Sequence, residues 1–267
     1  MRRESRAARR PIGVFDSGIG GLTVFKELAR RLPHEDLIYF GDTAHIPYGS
    51  KTPEAVRRYS LTVARFLEKQ GIKAMVVACN TSSALALSAL KKAMKVPVLG
   101  VIEPGARAAL DGGAAGPIGV IGTDATINSK AYDRALKGAR AIGQACPLFV
   151  PLVEEGWWSK DVTASVAREY LAVFKKKRPK TLILGCTHYP LLARTIGAIL
   201  GRGVRLVDPA VETARETGRM LAERGLLRIS GKGKRVFFVS DASKRFLTVA
   251  RRLGVPIKSV RLHSFDI

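Results

Sequence analysis

Residues 11–18 read PIGVFDSG, and residues 117–124 read PIGVIGTD. Pro11 and Pro117 are 106 positions apart (117 − 11). Each segment is a short apolar run that breaks into glycine and small polar residues. A second pair of runs shares nearly the same offset. VVACNTSSA spans 76–84 and LILGCTHYP spans 182–190, so Cys79 and Cys186 are 107 positions apart (186 − 79). Two independent landmarks with nearly one offset argue that the chain holds two related halves.

Working outward, apolar runs at 11–15, 37–40, 73–78, 97–101, 117–121, 147–150, 181–185, 204–207 and 235–239 predict strands. They are bare hydrophobic runs rather than apolar–polar alternations, which suits parallel strands covered on both faces. Between them, Val56, Tyr59, Val63, Phe66 and Leu67 share one helical face. Thr52-Pro53 is a start signal for that helix and Gly71 a stop. The alternation predicts an α/β fold with right-handed crossovers. The expected architecture is two related doubly wound parallel-sheet domains facing a central cleft. Residues 10–100 form the first domain, completed by 208–267, and residues 101–207 form the second. Residues 1–9 are expected to be a flexible basic arm. No apolar stretch follows it, so it does not read as a secretory signal. Ligands of doubly wound sheets bind at the carboxyl ends of strands. Asp16, Ser17, Cys79, Thr123 and Cys186 all stand just past such ends, and two facing halves gather them in one cleft.

Composition narrows the class. A chain of 267 residues with 46% hydrophobic content supplies a sizeable core. No apolar run reaches the roughly 18 residues of a membrane helix, so no membrane partner is expected. Three cysteines without a Cys-x-x-Cys spacing argue against a disulfide framework and a structural zinc site. Free thiols point to the cytoplasm. The net charge of +23 raises a nucleic-acid partner. The cations are dispersed, however, over helix faces, KKKRPK (175–180) and the tail after Gly231, with no recognised binding motif. A solvated surface is the expectation, with no specific nucleic acid.

DSGIGGLTV (16–24) opens a helix with Leu22, Phe25, Leu28 and Leu32 on its inner face. Its free N–H groups favour a small carboxylate. A dinucleotide fingerprint is the rival: Gly18 and Gly20 fit, and Asp42 stands near the distance for a ribose contact, but Thr23 occupies the third glycine position. A purely structural turn is the third reading. In DTAHIPYGSKT (42–52), a polar loop between a strand and a helix, Tyr48, Gly49 and Ser50 offer a hydroxyl and accessible amides, though a loop of that length is often only a connection. A lone cysteine after a strand is commonly a small buried hydrophobe. Paired by the repeat, Cys79 and Cys186 suit a task that needs two groups, removal of a proton from one face of a carbon and delivery to the other. A thiolate is a competent base when its pKa of about 8.5 is lowered. One covalent nucleophile or a redox disulfide are the alternatives. His188 stands two residues from Cys186 as a proton donor or a structural histidine. Glu154 and Glu155 follow a strand-like run, and the pattern fits equally a carboxylate that reaches the cleft and a solvated pair on the approach to a helix. Cys146 has no counterpart in the repeat and reads as structural; His34 and His263 have no assigned role.

Taken in order, GVFDSGIGGLTV, GDTAHIPYGSKT, VVACNTSSA, CPLFVPLVEEG, LILGCTHYPLL and VDPA resemble the glutamate racemases, over residues 13 to about 210. The resemblance implies cofactor-independent interconversion of L- and D-glutamate, feeding D-glutamate to peptidoglycan synthesis. It implies that Cys79 takes the proton from D-glutamate and Cys186 from L-glutamate. Asp16, Glu154 and His188 match supporting acid–base residues, and Asp16 and His188 are expected at the substrate too. Ser17, Tyr48, Gly49, Asn80, Thr81 and Thr187 match substrate-holding positions, to which Thr123 adds a contact. No cofactor or metal is implied. The expected partners are the small-molecule substrate glutamate and a second copy of the chain as a candidate homodimer. His45 departs from the pattern, standing where many relatives have Arg. A racemase for aspartate or another acid is the near alternative, and a non-catalytic basic binding protein the distant one.

Overall fold

The two proline-led runs become the central strands of two separate parallel sheets. The computed structural model describes residues 5–111, 116–241 and 244–265. The first lobe begins with β1 (Ile12–Asp16), α1 (Leu22–Arg31), β2 (Leu37–Gly41), α2 (Pro53–Lys69), β3 (Ala74–Val77), α3 (Asn80–Leu85), α4 (Leu87–Ala93) and β4 (Val98–Gly100). The second comprises α5 (Ile102–Asp111), β5 (Ile118–Gly122), α6 (Asp124–Asn128), α7 (Ala131–Ala135), β6 (Ala141–Ala145), α8 (Phe149–Glu154), α9 (Asp161–Lys177), β7 (Thr181–Gly185), α10 (Ala193–Leu200) and β8 (Arg205–Val207). The chain then returns through α11 (Pro209–Glu223), β9 (Arg235–Val239), α12 (Lys244–Arg252) and β10 (Arg261–Leu262).

All strand pairs are parallel. The sheet orders are β10-β9-β2-β1-β3-β4 and β6-β5-β7-β8. The order β2-β1-β3-β4 recurs as β6-β5-β7-β8, so the duplication seen as an offset is also a duplication of topology. β9 and β10 extend the first sheet beyond the repeated unit.

Both faces of each sheet are covered, as bare apolar strands require. On β1, Ile12 and Val14 face one core with Phe25 and Leu28 of α1, while Phe15 faces the other with Val63 and Leu67 of α2. β7 divides likewise, Leu182 and Leu184 to one side and Ile183 to the other. Thr52 caps α2 as expected, its hydroxyl accepting from the Ala55 N–H at 3.3 Å.

One expectation is corrected. Residues 147–150 do not form a strand: Phe149 and Val150 open α8, which buries them with Val153. A short apolar run alone does not distinguish strand from helix. The strand of that region is β6, AIGQA, whose edge position leaves its residues half-buried or exposed, and so without an apolar signature. Part of the basic arm is in contact with the body of the protein. Residues 1–4 lie outside the described residues, but Ala8 is buried and its carbonyl accepts from Lys73 Nζ. Among the described residues no helix is long and apolar enough to cross a membrane.

Lys73 and Glu35 form an ion pair of 2.5 Å with side chains 1% and 0% exposed. Lys73 Nζ also donates to the Leu226 carbonyl at 2.8 Å, and Glu35 Oε1 accepts the Arg228 N–H at 2.8 Å. The pair therefore ties the N-terminal residues, the base of β3 and the returning tail together. Removing one member strands a buried charge, which costs about 3–5 kcal/mol. Lys73→Met is expected to lower the unfolding free energy by about that amount, read by urea denaturation.

Candidate active site

The carboxyl ends of β1, β3, β5 and β7 converge on one small pocket between the lobes. Ser17, Tyr48, Gly49, Cys79, Asn80, Thr81, Thr123, Glu154, Cys186, Thr187 and His188 all line it. Asp16 does not line it; it lies directly behind, fully buried at the end of β1. The cavity measures about 20 Å³, room for little more than one water. A larger groove of about 870 Å³ lies between α3, α4, α5 and α7, but it is lined by neither thiol. Among the described residues no three His, Cys, Asp or Glu side chains gather as a metal site.

Asp16 explains the glycine turn. Its Oδ2 accepts the Gly18 N–H at 3.0 Å, and the Gly21 N–H also bonds to it. The turn therefore cradles this chain's own carboxylate instead of an external one. Burial raises the Asp16 pKa, while the charge of His188 pulls it back. The nucleotide alternative fails at Asp42. That carboxylate is buried and accepts from Tyr48 Oη at 2.5 Å and Ser240 Oγ at 2.6 Å, with His45 Nδ1 2.9 Å away. It holds the Tyr48 ring in place and has no ribose-facing edge.

The two thiols have unlike surroundings. Cys79 caps α3: its Sγ accepts the Ser82 N–H at 3.4 Å, and its thiol donates to Ser17 Oγ at 3.5 Å. Burial, then the Asp16 charge, pushes the Cys79 thiol up to about 11 against those hydrogen bonds. Cys186 Sγ lies 3.7 Å from His188 Nδ1, and His188 Nε2 lies 3.1 Å from Glu154 Oε1. Burial alone would push the imidazole down, but bonding to Cys186 and Glu154 and their charges hold it up to about 10. A protonated His188 donates from both nitrogens, one toward the sulfur and one toward the carboxylate. Glu154 reaches this position from the last turn of α8 rather than from a strand end.

The lobes meet closely here. A Cβ on Gly20 would stand 2.3 Å from Thr187 Oγ1 and 2.6 Å from His188 Nδ1, and one on Gly49 would stand 2.5 Å from Thr123 Cβ. Only glycine permits that approach. Thr187 Oγ1 donates to Asp16 Oδ1 at 3.5 Å. The hydroxyls of Thr81, Thr123 and Thr126 form a triangle with edges of 3.0, 3.3 and 3.0 Å across the gap. Thr126 is not among the residues expected from the sequence, although its place three residues after the capping Thr123 is a readable signal. Ser240 carries no local signal. Cys146 is buried outside the pocket with its thiol on the Gln144 carbonyl at 3.6 Å, in keeping with a structural role.

A thiol from each of two duplicated α/β lobes meets at one small pocket, with Asp16, Glu154 and His188 beside them. The chain belongs to the Asp/Glu/Hydantoin racemase family, whose model matches residues 12–217. It is 53% identical to the glutamate racemase of Geobacter metallireducens, over 90% of this chain and 91% of that relative. It resembles the crystal structure of Thermus thermophilus glutamate racemase in complex with beta-chloro-D-alanine, with a TM-score of 0.88 and 49% identity over 97% of this chain and 98% of that one. The Francisella tularensis glutamate racemase structure in complex with D-glutamate matches with a TM-score of 0.91 and 39% identity, over 97% and 99% of the two chains.

His188 binds its proton more tightly in the folded chain, at about 10 against 6.5. It therefore contributes stability that is complete below pH 6.5 and fades as pH climbs through about 10. Replacing His188 with Gln is expected to flatten the fall of unfolding free energy across that window. Urea titrations at several pH values measure it, and an unchanged slope contradicts the assignment.

Proposed function

We propose that this chain interconverts L- and D-glutamate without a cofactor by passing the α-proton between Cys79 and Cys186. The observation that carries the reading is the arrival of the two thiols at one pocket from equivalent positions of two duplicated sheets. Inversion needs a proton removed from one face and another delivered to the opposite face, and one group serves only one face. The substrate rests on the relatives, which are named glutamate racemases at 45–53% identity.

Cys79, held neutral at pH 7, is the donor when L-glutamate is consumed, and Cys186 is the acceptor. In reverse, Cys79 becomes the acceptor, with buried Asp16 behind it. His188, steadied by Glu154, stands ready to share a proton with Cys186. Ser17, Gly49, Asn80, Thr81, Thr123 and Thr187 supply hydroxyls and amides for the substrate's carboxylates. The α-proton is far less acidic than a thiol. Stabilisation of developing negative charge in a dry cleft therefore carries most of the catalysis. A cavity this small admits glutamate only when the lobes part, and their closure then excludes water. We place the reaction in the cytoplasm, as a source of D-glutamate for peptidoglycan.

The test is L-glutamate with the purified protein in D₂O, following optical rotation and α-deuterium by NMR. Rotation is expected to decay to zero as deuterium enters the α-carbon. If aspartate exchanges and glutamate does not, the substrate is wrong. Cys79→Ser and Cys186→Ser are each expected to cut turnover by about 10²–10⁴-fold with the fold intact by circular dichroism. Normal turnover in either one removes the two-thiol mechanism.

A further inference from the structure

Asn80 follows Cys79 in sequence and lines the pocket. An amide can turn either its oxygen or its NH₂ toward a ligand, and the partner behind it decides which. That partner is Tyr132, on α7 of the opposite lobe, whose hydroxyl donates to Asn80 Oδ1 at 2.7 Å. Tyr132 is 2% exposed, lies in the core with Ile118, Val120 and Ile183, and is not a pocket residue. Burial, followed by the charges of Cys186 and Asp208, raises its pKa, so the phenol stays protonated and remains a donor. Its ring also packs on the residue before the second thiol: a Cβ on Gly185 would stand 3.0 Å from Tyr132 Cε2. One side chain thus touches the neighbour of Cys79 and the neighbour of Cys186.

We propose that Tyr132 is a positioning residue for substrate binding: its hydroxyl holds the Asn80 amide with Nδ2 toward the pocket, where it donates to a carboxylate of the substrate. The inference rests on the racemase reading above. With the amide reversed, Oδ1 would oppose an anion and the site would repel what it must hold. Because Asn80 and Tyr132 belong to different lobes, the orientation is set only when the lobes are together. An open pocket then has a free-turning amide, and a closed one has a fixed donor.

Tyr132→Phe keeps the ring and removes only the hydroxyl. The KM for both enantiomers is expected to rise about 3–10-fold, the worth of one hydrogen bond, with kcat within about twofold. In an Asn80→Ala background the same substitution is expected to leave KM unchanged, which a double-mutant cycle reads directly. A Tyr132→Phe protein that loses thermal stability yet keeps its KM overturns the proposal. So does an equal rise in KM in both backgrounds. If Tyr132→Phe does not fold, Asn80→Asp decides the orientation. A carboxylate in place of the donor is expected to raise KM well beyond that of Asn80→Ala. An N80D protein that binds as well as N80A overturns the proposal. Wild-type protein that leaves glutamate unexchanged in D₂O removes the racemase reading and this inference with it. Wild-type exchange alongside an unaltered KM in Tyr132→Phe removes this inference alone.

Discussion

Parallel pairing sends the carboxyl end of every strand to the same edge of its sheet, and the rest of the site depends on that constraint. β1 and β3 deliver Asp16, Ser17 and Cys79 to one edge, and β5 and β7 deliver Thr123 and Cys186 to another. Two such edges set face to face make a pocket in which both thiols stand just past the ends of buried strands, while Glu154 arrives from a helix. A parallel ladder cannot be closed by tight turns; each crossover needs a helix. Those helices cover both faces, and the strands can then be apolar throughout, as PIGVF and LILG are.

The scaffold is duplicated but the chemistry is not. Cys79 is followed by Asn80-Thr81 and is held by a hydroxyl and a backbone amide. Cys186 is followed by Thr187-His188 and is held by an imidazole backed with a carboxylate. Burying several ionisable groups in one small space is costly unless each has a partner. Asp16 has two amides and Thr187, Glu154 has His188, and His188 has both Glu154 and Cys186. Two thiols on nearly the same framework therefore sit in different hydrogen-bonding and charge surroundings.

Much of this is legible in the sequence because the repeat offset fixes correspondences that no single motif could. The offset alone matches Cys186 to Cys79. Legibility fails where a local pattern has two physical outcomes or none. PLFV satisfies a strand and a helix alike, and AIGQA, at a sheet edge, needs no apolar run. The glycine turn looks open to a ligand because the sequence does not show that Asp16, two residues before Gly18, folds back onto its amides. Asp42 cannot be assigned from its neighbours because its partner Ser240 lies at the far end of the chain, brought in only by the pairing of β2 with β9. Contacts between lobes, such as the Thr81–Thr123–Thr126 triangle, are set by how two independently readable units meet.

The chain crosses between its lobes twice, once from β4 into α5 and once from β8 into α11, and α5 and α11 lie against each other. Two bodies joined at a single point can swivel in any direction. Joined at two points, they turn only about the line through both. The lobes are therefore a door on two pins rather than a ball in a socket. Any parting of the lobes would follow that one arc, and on the two-thiol reading proposed above each closure brings both sulfurs back to the one pocket.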